Sequence, residues 1–207
     1  MTSFLLFIFG FLFCFGGSIT PSMLNITVLK ISLEQGQNEV KKYALGISLV
    51  VIPQTIIAVF LTKLLAENTS ILQTLEKLGI VIFILLSFYF YRESKKETMP
   101  TKANAAHYKR AFMVGITLSI LNMFAIPYLC GTIIFLEEIR QFSRAIIPVL
   151  FFTLGCAIGT YFILILYGNY AKIIQKKTGK LTKNINLILA ILTAFVALFS
   201  IIKLFLN

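Results

Sequence analysis

Residues 16–25 read Gly16-Gly17-Ser18-Ile19-Thr20-Pro21-Ser22-Met23-Leu24-Asn25 and lie inside the long apolar segment 3–29. As one α-helix, this segment would be about 40 Å long, whereas the hydrocarbon core of a bilayer is roughly 30 Å thick. Proline removes a helical donor and frees a carbonyl, and such backbone is tolerated in a membrane only where protein or a wet cavity covers it. A single segment of this kind is explained equally well by a tilted helix with a packing kink, so the prediction of a functional break depends on a second such segment.

Six apolar segments of membrane-spanning length follow one another along the chain. We place them at residues 3–29, 43–66, 71–91, 111–136, 143–169 and 184–206. Hydrophobic residues make up 58% of the chain and charged residues 13%, whereas a soluble domain has about 25% charged residues. Mean hydropathy is +0.90. The predicted fold class is an all-α integral membrane protein with six transmembrane helices.

The composition excludes most enzyme chemistry. The sequence has no Asp, a single His, and 8 acidic residues that are all Glu. A zinc site, a Ser/His/Asp triad and a two-carboxylate mechanism all need residues that are missing here. We therefore expect neither an enzyme nor a protein with a metal or cofactor.

Lysine and arginine are concentrated in the first, third and fifth connections between the apolar segments. Because the cytoplasmic loops of membrane proteins collect these residues, we expect the odd-numbered loops in the cytoplasm and both termini outside, in a bacterial inner membrane. The net charge of +11 is then explained by loops next to the lipid bilayer, and nucleic acid is not an expected partner.

A second interrupted segment lies at 111–136, where Asn122, Pro127 and Gly131 occur near the middle. The basic loop 93–110 separates two halves, 1–92 and 111–207, which contain three apolar segments each. Since three is odd, a repeat of this kind must have inverted topology, as is common in secondary transporters. By sequence, Ser18-Ile19-Thr20-Pro21 in segment one aligns with Ser119-Ile120-Leu121-Asn122 in segment four. Segments one and four are therefore the predicted broken helices.

Polar residues gather at these breaks. In a continuous helix, Ser18, Ser22 and Asn25 would share one face. A buried amide in hydrocarbon is costly unless it is paired, so these residues either join helices by hydrogen bonds or line a cavity for a small solute. The candidate substrate-binding residues are Ser18, Thr20, Pro21, Ser22, Asn25, Gln54, Ser119, Asn122 and Pro127.

Two further patterns concern packing. Gly155 and Gly159 form a G-x-x-x-G motif, which predicts close helix packing either within the chain or in a homodimer. Tyr43 and Tyr167 lie near segment ends and are typical of an aromatic belt at the membrane interface.

The two breaks resemble the signatures of the LysE-type (lysine exporter) family of amino-acid exporters. A Pro-Gly-Pro element of that family is similar to residues 17–25, which Gly36 and Leu45-Gly46 follow. An Asn-Pro element is similar to residues 118–127, and Lys77-Leu78-Gly79 is similar to the family's entry into segment three. The departures are Ser22-Met23 in place of Gly-Pro, and Met123 in place of the proline after Asn122.

This resemblance implies a secondary transporter that exports amino acids or similar small metabolites by alternating access. The N–H groups of the half-helix that starts near Pro21 would bind the substrate carboxylate. The amides of Asn25 and Asn122, with carbonyls freed near the second break, would bind the ammonium group. Because no Glu lies in the middle of an apolar segment, we expect neutral amino acids rather than basic ones.

Two other functions stay open. Cys14 and Cys130 lie in segments one and four, as the cysteines of a transmembrane thiol carrier would. A membrane subunit that does not transport is the second alternative. A cysteine-free variant separates the first alternative from the exporter, because only the thiol carrier would lose function.

Overall fold

The computed structural model describes residues 2–19, 22–67, 110–122 and 124–174, together with the single residues or short runs 81, 84–85, 87–89, 91–92, 191, 194–195, 198 and 202. Most of the predicted segments 71–91 and 184–206 lies outside the described residues. The chain divides into two compact units, one formed by Met1–Leu64 and His107–Ile174, the other by Leu65–Ala106 and Gln175–Asn207.

The described elements are α-helices, and the described residues include no strand. The helices are α1 (Thr2–Gly17), α2 (Met23–Gln35), α3 (Gln37–Glu67), α4 (Ala111–Ile120), α5 (Ala125–Glu138) and α6 (Ile146–Asn169). Helices α3 and α6 are long and apolar enough to cross a membrane, and α4 and α5 pass the same test as a pair bent by 64°. The all-helical membrane class is therefore confirmed for the described part of the chain.

The first predicted break is present between α1 and α2. Helix α1 ends at Gly17, and α2 begins at Met23 with Ser22 as its N-cap, whose hydroxyl accepts a hydrogen bond from the Asn25 N–H at 3.4 Å. The expectation that Ser18, Ser22 and Asn25 share one helical face is wrong, because only Asn25 lies in a helix.

Helix α2 is capped at its C-terminus by Gly36, and the next helix follows directly. Gly36 has φ +85°, a left-handed conformation that glycine adopts without steric cost. Its N–H donates to the Ile31 carbonyl at 3.2 Å, and α3 starts at the next residue. A single residue therefore separates α2 from α3, and the Tyr43 hydroxyl of α3 donates to the Leu24 carbonyl of α2.

The second break lies before the proline that was expected to cause it. Helix α4 ends at Ile120 and α5 begins at Ala125, so Pro127 occupies the first turn of α5. In a first turn the missing N–H of proline has no helical partner to lose. Pro127 therefore helps to start a helix, and the interruption falls on residues 121–124.

Glycines bring α1 and α6 into backbone contact. A Cβ at Gly10 would overlap the Phe152 carbonyl oxygen, and a Cβ at Gly155 or Gly159 would overlap the carbonyl oxygen of Phe7 or Phe11. The prediction of close packing at the G-x-x-x-G motif is confirmed, and this face of α6 is covered by α1 of the same chain.

Helices α3 and α4 meet in the same manner. A Cβ at Gly46 would overlap the Phe112 carbonyl oxygen, and one at Gly115 would overlap that of Tyr43. Gly155 and Gly159 of α6 contact Phe7 and Phe11 of α1 in the same order, so α1 runs parallel to α6. Along α3, Gly46 lies against Phe112 and Gln54 against Ser119, so α3 runs parallel to α4. Two parallel, glycine-packed helix pairs thus frame the breaks.

Candidate functional site

The carbonyls around the first break are satisfied by side chains from three helices. Asn25 of α2 donates from Nδ2 to the Ser18 carbonyl at 2.8 Å. Tyr128 of α5 donates to the Phe13 carbonyl at 2.6 Å, and the Tyr167 hydroxyl of α6 donates to the Ile19 carbonyl. The break is therefore a fixed feature of the bundle, held by hydrogen bonds from outside α1.

Asn25 is at the centre of this arrangement. Its side chain is 2% exposed, and it lies within hydrogen-bonding reach of Tyr167 as well as of the Ser18 carbonyl. The amide predicted to bind a ligand thus has partners within the protein. In this conformation it orients the backbone of the break.

Tyr128 links the two breaks. It lies one turn into α5, just past the second break, and its hydroxyl reaches the last turns of α1 at the first break. Its ring occupies the space that a Cβ on Gly17 would need. Only glycine at position 17 allows this close approach, so the two interruptions are neighbours in space.

Gln54 joins α3 to the second break. Its Nε2 donates to the Ser119 carbonyl in the last turn of α4 at 2.9 Å, and the side chain is 6% exposed. Its Oε1 is buried and has no hydrogen-bond partner. A buried polar atom without a partner costs roughly 1–3 kcal/mol, so this oxygen is a destabilising feature of the conformation seen here.

The second break itself is shaped by Asn122. The Asn122 Oδ1 accepts from the Phe124 N–H at 3.4 Å, and its carbonyl accepts from the Ala125 N–H. A short asparagine loop of this kind commonly precedes a helix. Asn122 is only partly buried, unlike Asn25.

The remaining predicted site residues are less central. Thr20 and Pro21 lie outside the described residues. Ser22 and Pro127 are exposed at the N-termini of α2 and α5. The structure thus places Ser18, Ser22 and Asn25 at the first break, and Gln54, Ser119 and Asn122 at the second.

Sequence reasoning missed the two tyrosines at the first break. Tyr167 was assigned to an interfacial belt, and nothing in the sequence pattern marks Tyr128. Tyr43, assigned to the same belt, is fully buried. A hydroxyl aimed at a freed carbonyl depends on how helices pack, which neither hydropathy nor motif spacing reports.

The three cysteines are buried thiols in one apolar cluster. Cys156 of α6 lies beside Cys14 of α1 and Thr55 of α3, whereas the Cys130 thiol donates to the Ala58 carbonyl. Cys14 is therefore next to Cys156. Among the described residues no group of three or more His, Cys, Asp or Glu side chains could hold a metal ion.

Comparison with known proteins identifies the family. A model of the LysE type translocator family matches residues 15–204, which is nearly the whole chain. The chain belongs to the LysE type translocator family. As a LysE type translocator, it belongs to a family of membrane transporters. Searches of curated proteins and of solved structures give no significant match.

Proposed function

We propose that the chain exports amino acids, with neutral ones favoured, by alternating access around the two helix breaks. The observation that carries this proposal is the pair of buried amides, Asn25 and Gln54, that bond to the backbone at the two breaks. In a membrane, non-helical backbone and buried amides of this kind mark a substrate pathway. The family match supports the same reading.

The charge of the bundle favours neutral substrates. Each described glutamate lies in the first or last turn of its helix: Glu34, Glu39, Glu67, Glu137 and Glu138. No described acid lies at either break. A substrate with a second positive charge would therefore find no carboxylate to balance it.

Matched contacts support the proposal that the two halves are repeats. Gly10 and Gly115 are 105 residues apart, and each packs against a carbonyl of the neighbouring helix. Gly46 and Gly155 are 109 residues apart. They contact the carbonyls of Phe112 and Phe7 respectively, which are themselves 105 residues apart. In this scheme α4 of the second half corresponds to α1 of the first, and α3 of the first half corresponds to α6 of the second. The contact between α1 and α6 is therefore equivalent to the contact between α4 and α3.

The helices that follow the two breaks, α2 and α5, are related by the same offset of 105 residues. The Gly36 N–H donates to the Ile31 carbonyl at the end of α2, and the Gln141 N–H donates to the Leu136 carbonyl at the end of α5. Both partners are again 105 apart. In this register the counterpart of Ser18 is residue 123 and not Ser119, so the sequence alignment of Ser18 with Ser119 is displaced by four residues.

The proposed transport cycle follows from this arrangement. The pairs α1/α6 and α3/α4 would rock against each other, while α2 and α5 carry the breaks between them. The free N–H groups at the start of α2 would bind the substrate carboxylate, and the amides near the breaks would bind its amino group. Six spans, an inverted repeat, a cytoplasmic-membrane location and outside termini complete the proposal.

Efflux from proteoliposomes tests the function. Purified protein is reconstituted, loaded in turn with labelled L-alanine, L-threonine, L-leucine and L-lysine, and assayed with and without a pH gradient. Saturable efflux of a neutral amino acid is the expected result. Lysine efflux at an equal or higher rate would contradict the argument from charge. Absence of flux for every amino acid, from folded and inserted protein, would refute the proposal.

A further inference from the structure

The Gln54 amide is bonded on one side only. Its nitrogen donates to the Ser119 carbonyl, whereas its oxygen is buried without a partner. The orientation of the amide follows from the contact itself, because a carbonyl can only accept a hydrogen bond and must therefore face the nitrogen. The free atom is thus an acceptor, and only a donor can satisfy it.

This orphan differs from the other buried side-chain atoms without partners in the described part of the chain. Those atoms are the hydroxyl oxygens of Ser48 and Thr153. A hydroxyl both donates and accepts, and its hydrogen rotates to suit its surroundings. The Gln54 oxygen has no such freedom, because its amide is fixed through the Ser119 carbonyl at the end of α4.

The position of Gln54 connects this acceptor to the transport cycle. The residue lies on α3, and its bond to α4 crosses the tightly packed pair in which Gly46 and Gly115 meet. The acceptor is therefore presented by a rigid platform at the point where α4 stops. The Asn25 amide, by contrast, is occupied by the protein, so Gln54 is the amide with spare capacity.

We propose that Gln54 Oε1 is the acceptor for the substrate's amino group. This inference rests on the proposed function and names the recognising atom. An amide oxygen binds an N–H donor without contributing a formal charge, so it suits the amino group of a zwitterion. It gives no attraction for a second cationic group, and it discriminates against a nitrogen without hydrogen.

Two measurements on proteoliposomes test it. The first compares the transported amino acid with its N,N,N-trimethyl analogue, which has no N–H, as competitors of efflux by wild type and by Gln54→Met, in which the acceptor is absent. We expect the ratio of the two inhibition constants to be about ten or more in wild type and to fall toward one in Gln54→Met, because the hydrogen bond that favours the N–H donor is lost. The ratio does not depend on the amount of active protein. Thr62→Val, which removes an equally buried hydroxyl elsewhere on α3, should leave it unchanged.

The second measurement needs no variant and remains decisive if Gln54→Met does not fold. The transported amino acid and its N,N,N-trimethyl analogue are compared as competitors of efflux by the wild-type protein. The analogue, which has no N–H, should bind at least about tenfold more weakly. Equal competition by the analogue, or an unchanged ratio of inhibition constants in folded Gln54→Met, overturns the assignment of Gln54 while amino-acid export stands. Wild-type protein that moves no amino acid overturns both proposals.

Discussion

At the scale of single residues, the first break is stabilised by donors that come from α2, α5 and α6. An unpaired carbonyl in an apolar bundle would otherwise cost free energy. Asn25, Tyr128 and Tyr167 each supply one donor. Residues that sequence reasoning treats as ligands or as interface anchors therefore also define the backbone that a ligand would contact.

Replacing Asn25 by alanine should destabilise the protein as well as stop transport. The Asn25→Ala variant leaves the partly buried Ser18 carbonyl without its donor, at a cost of up to about 1–3 kcal/mol. In a chain of this size each kcal/mol lowers the melting temperature by about 2–4 °C. Thermal unfolding in detergent, measured beside alanine efflux, checks both effects.

Asn38→Ala is the matched control for this prediction, because Asn38 is exposed in the first turn of α3. It should change neither quantity. A variant at Asn25 with wild-type stability and no transport would show that the side chain acts on the substrate and not on the break. Wild-type transport would remove Asn25 from the site altogether.

The sequence was informative about which residues matter and much less about what they contact. Asn25 and Gln54 could be selected because an amide within an apolar segment must find partners. The partners are backbone carbonyls that become available only because α1 and α4 stop where they do. That depends on packing between distant parts of the chain, so no local pattern reports it.

At the scale of helices, the glycines decide how closely the pairs approach. Alanine normally stabilises a helix interior relative to glycine by roughly 0.5–1 kcal/mol. At Gly10 or Gly115 the added methyl would overlap a backbone carbonyl that cannot rotate away. The sign of the substitution should therefore reverse where two helices touch.

We expect Gly10→Ala and Gly115→Ala to lower the free energy of unfolding by about 1–3 kcal/mol each, as overpacking does. Gly131→Ala is the control, because nothing lies within 4 Å of a Cβ at that position of α5. It should raise stability slightly or leave it unchanged. Thermal unfolding of the three variants under one condition decides the matter, and a stabilising effect at Gly10 would contradict the close packing of α1 on α6.

Both helix breaks could be predicted at this scale, but the position of the second one could not. The sequence placed interruptions in segments one and four because both were too long and contained proline and glycine. Yet α4 stops before Pro127, and α3 continues through Pro53. Proline is compatible with a first turn and is tolerated within a helix that other helices support, so the residue alone does not locate the break.

At the scale of the whole molecule, a cysteine-free variant separates transport from thiol chemistry. Cys14, Cys130 and Cys156 are small apolar residues of one buried cluster, and alanine at all three should keep the bundle intact. We expect the triple variant to retain most amino-acid efflux. Loss of efflux with normal folding would favour the thiol carrier, for which the neighbouring thiols of Cys14 and Cys156 would be the first pair to test singly.

The equivalence of the two halves predicts a topology as well as a packing scheme. If residues 109 apart are equivalent and the repeat is inverted, the starts of α3 and α6 must lie on opposite sides of the membrane. Asn38 and Ile147 occupy these equivalent places, and both are exposed. With both termini outside, Ile147 faces outward and Asn38 faces the cytoplasm.

In the cysteine-free background, Ile147→Cys should react with a membrane-impermeant maleimide added to intact cells, and Asn38→Cys should react only after the membrane is opened. The reverse pattern would keep the inverted repeat and reverse the orientation deduced from the basic loops. Labelling of both positions from the same side would instead rule out the inverted repeat. In that case the matched contacts of α1/α6 and α3/α4 would describe only similar packing, and a rocking cycle built on their equivalence would no longer follow.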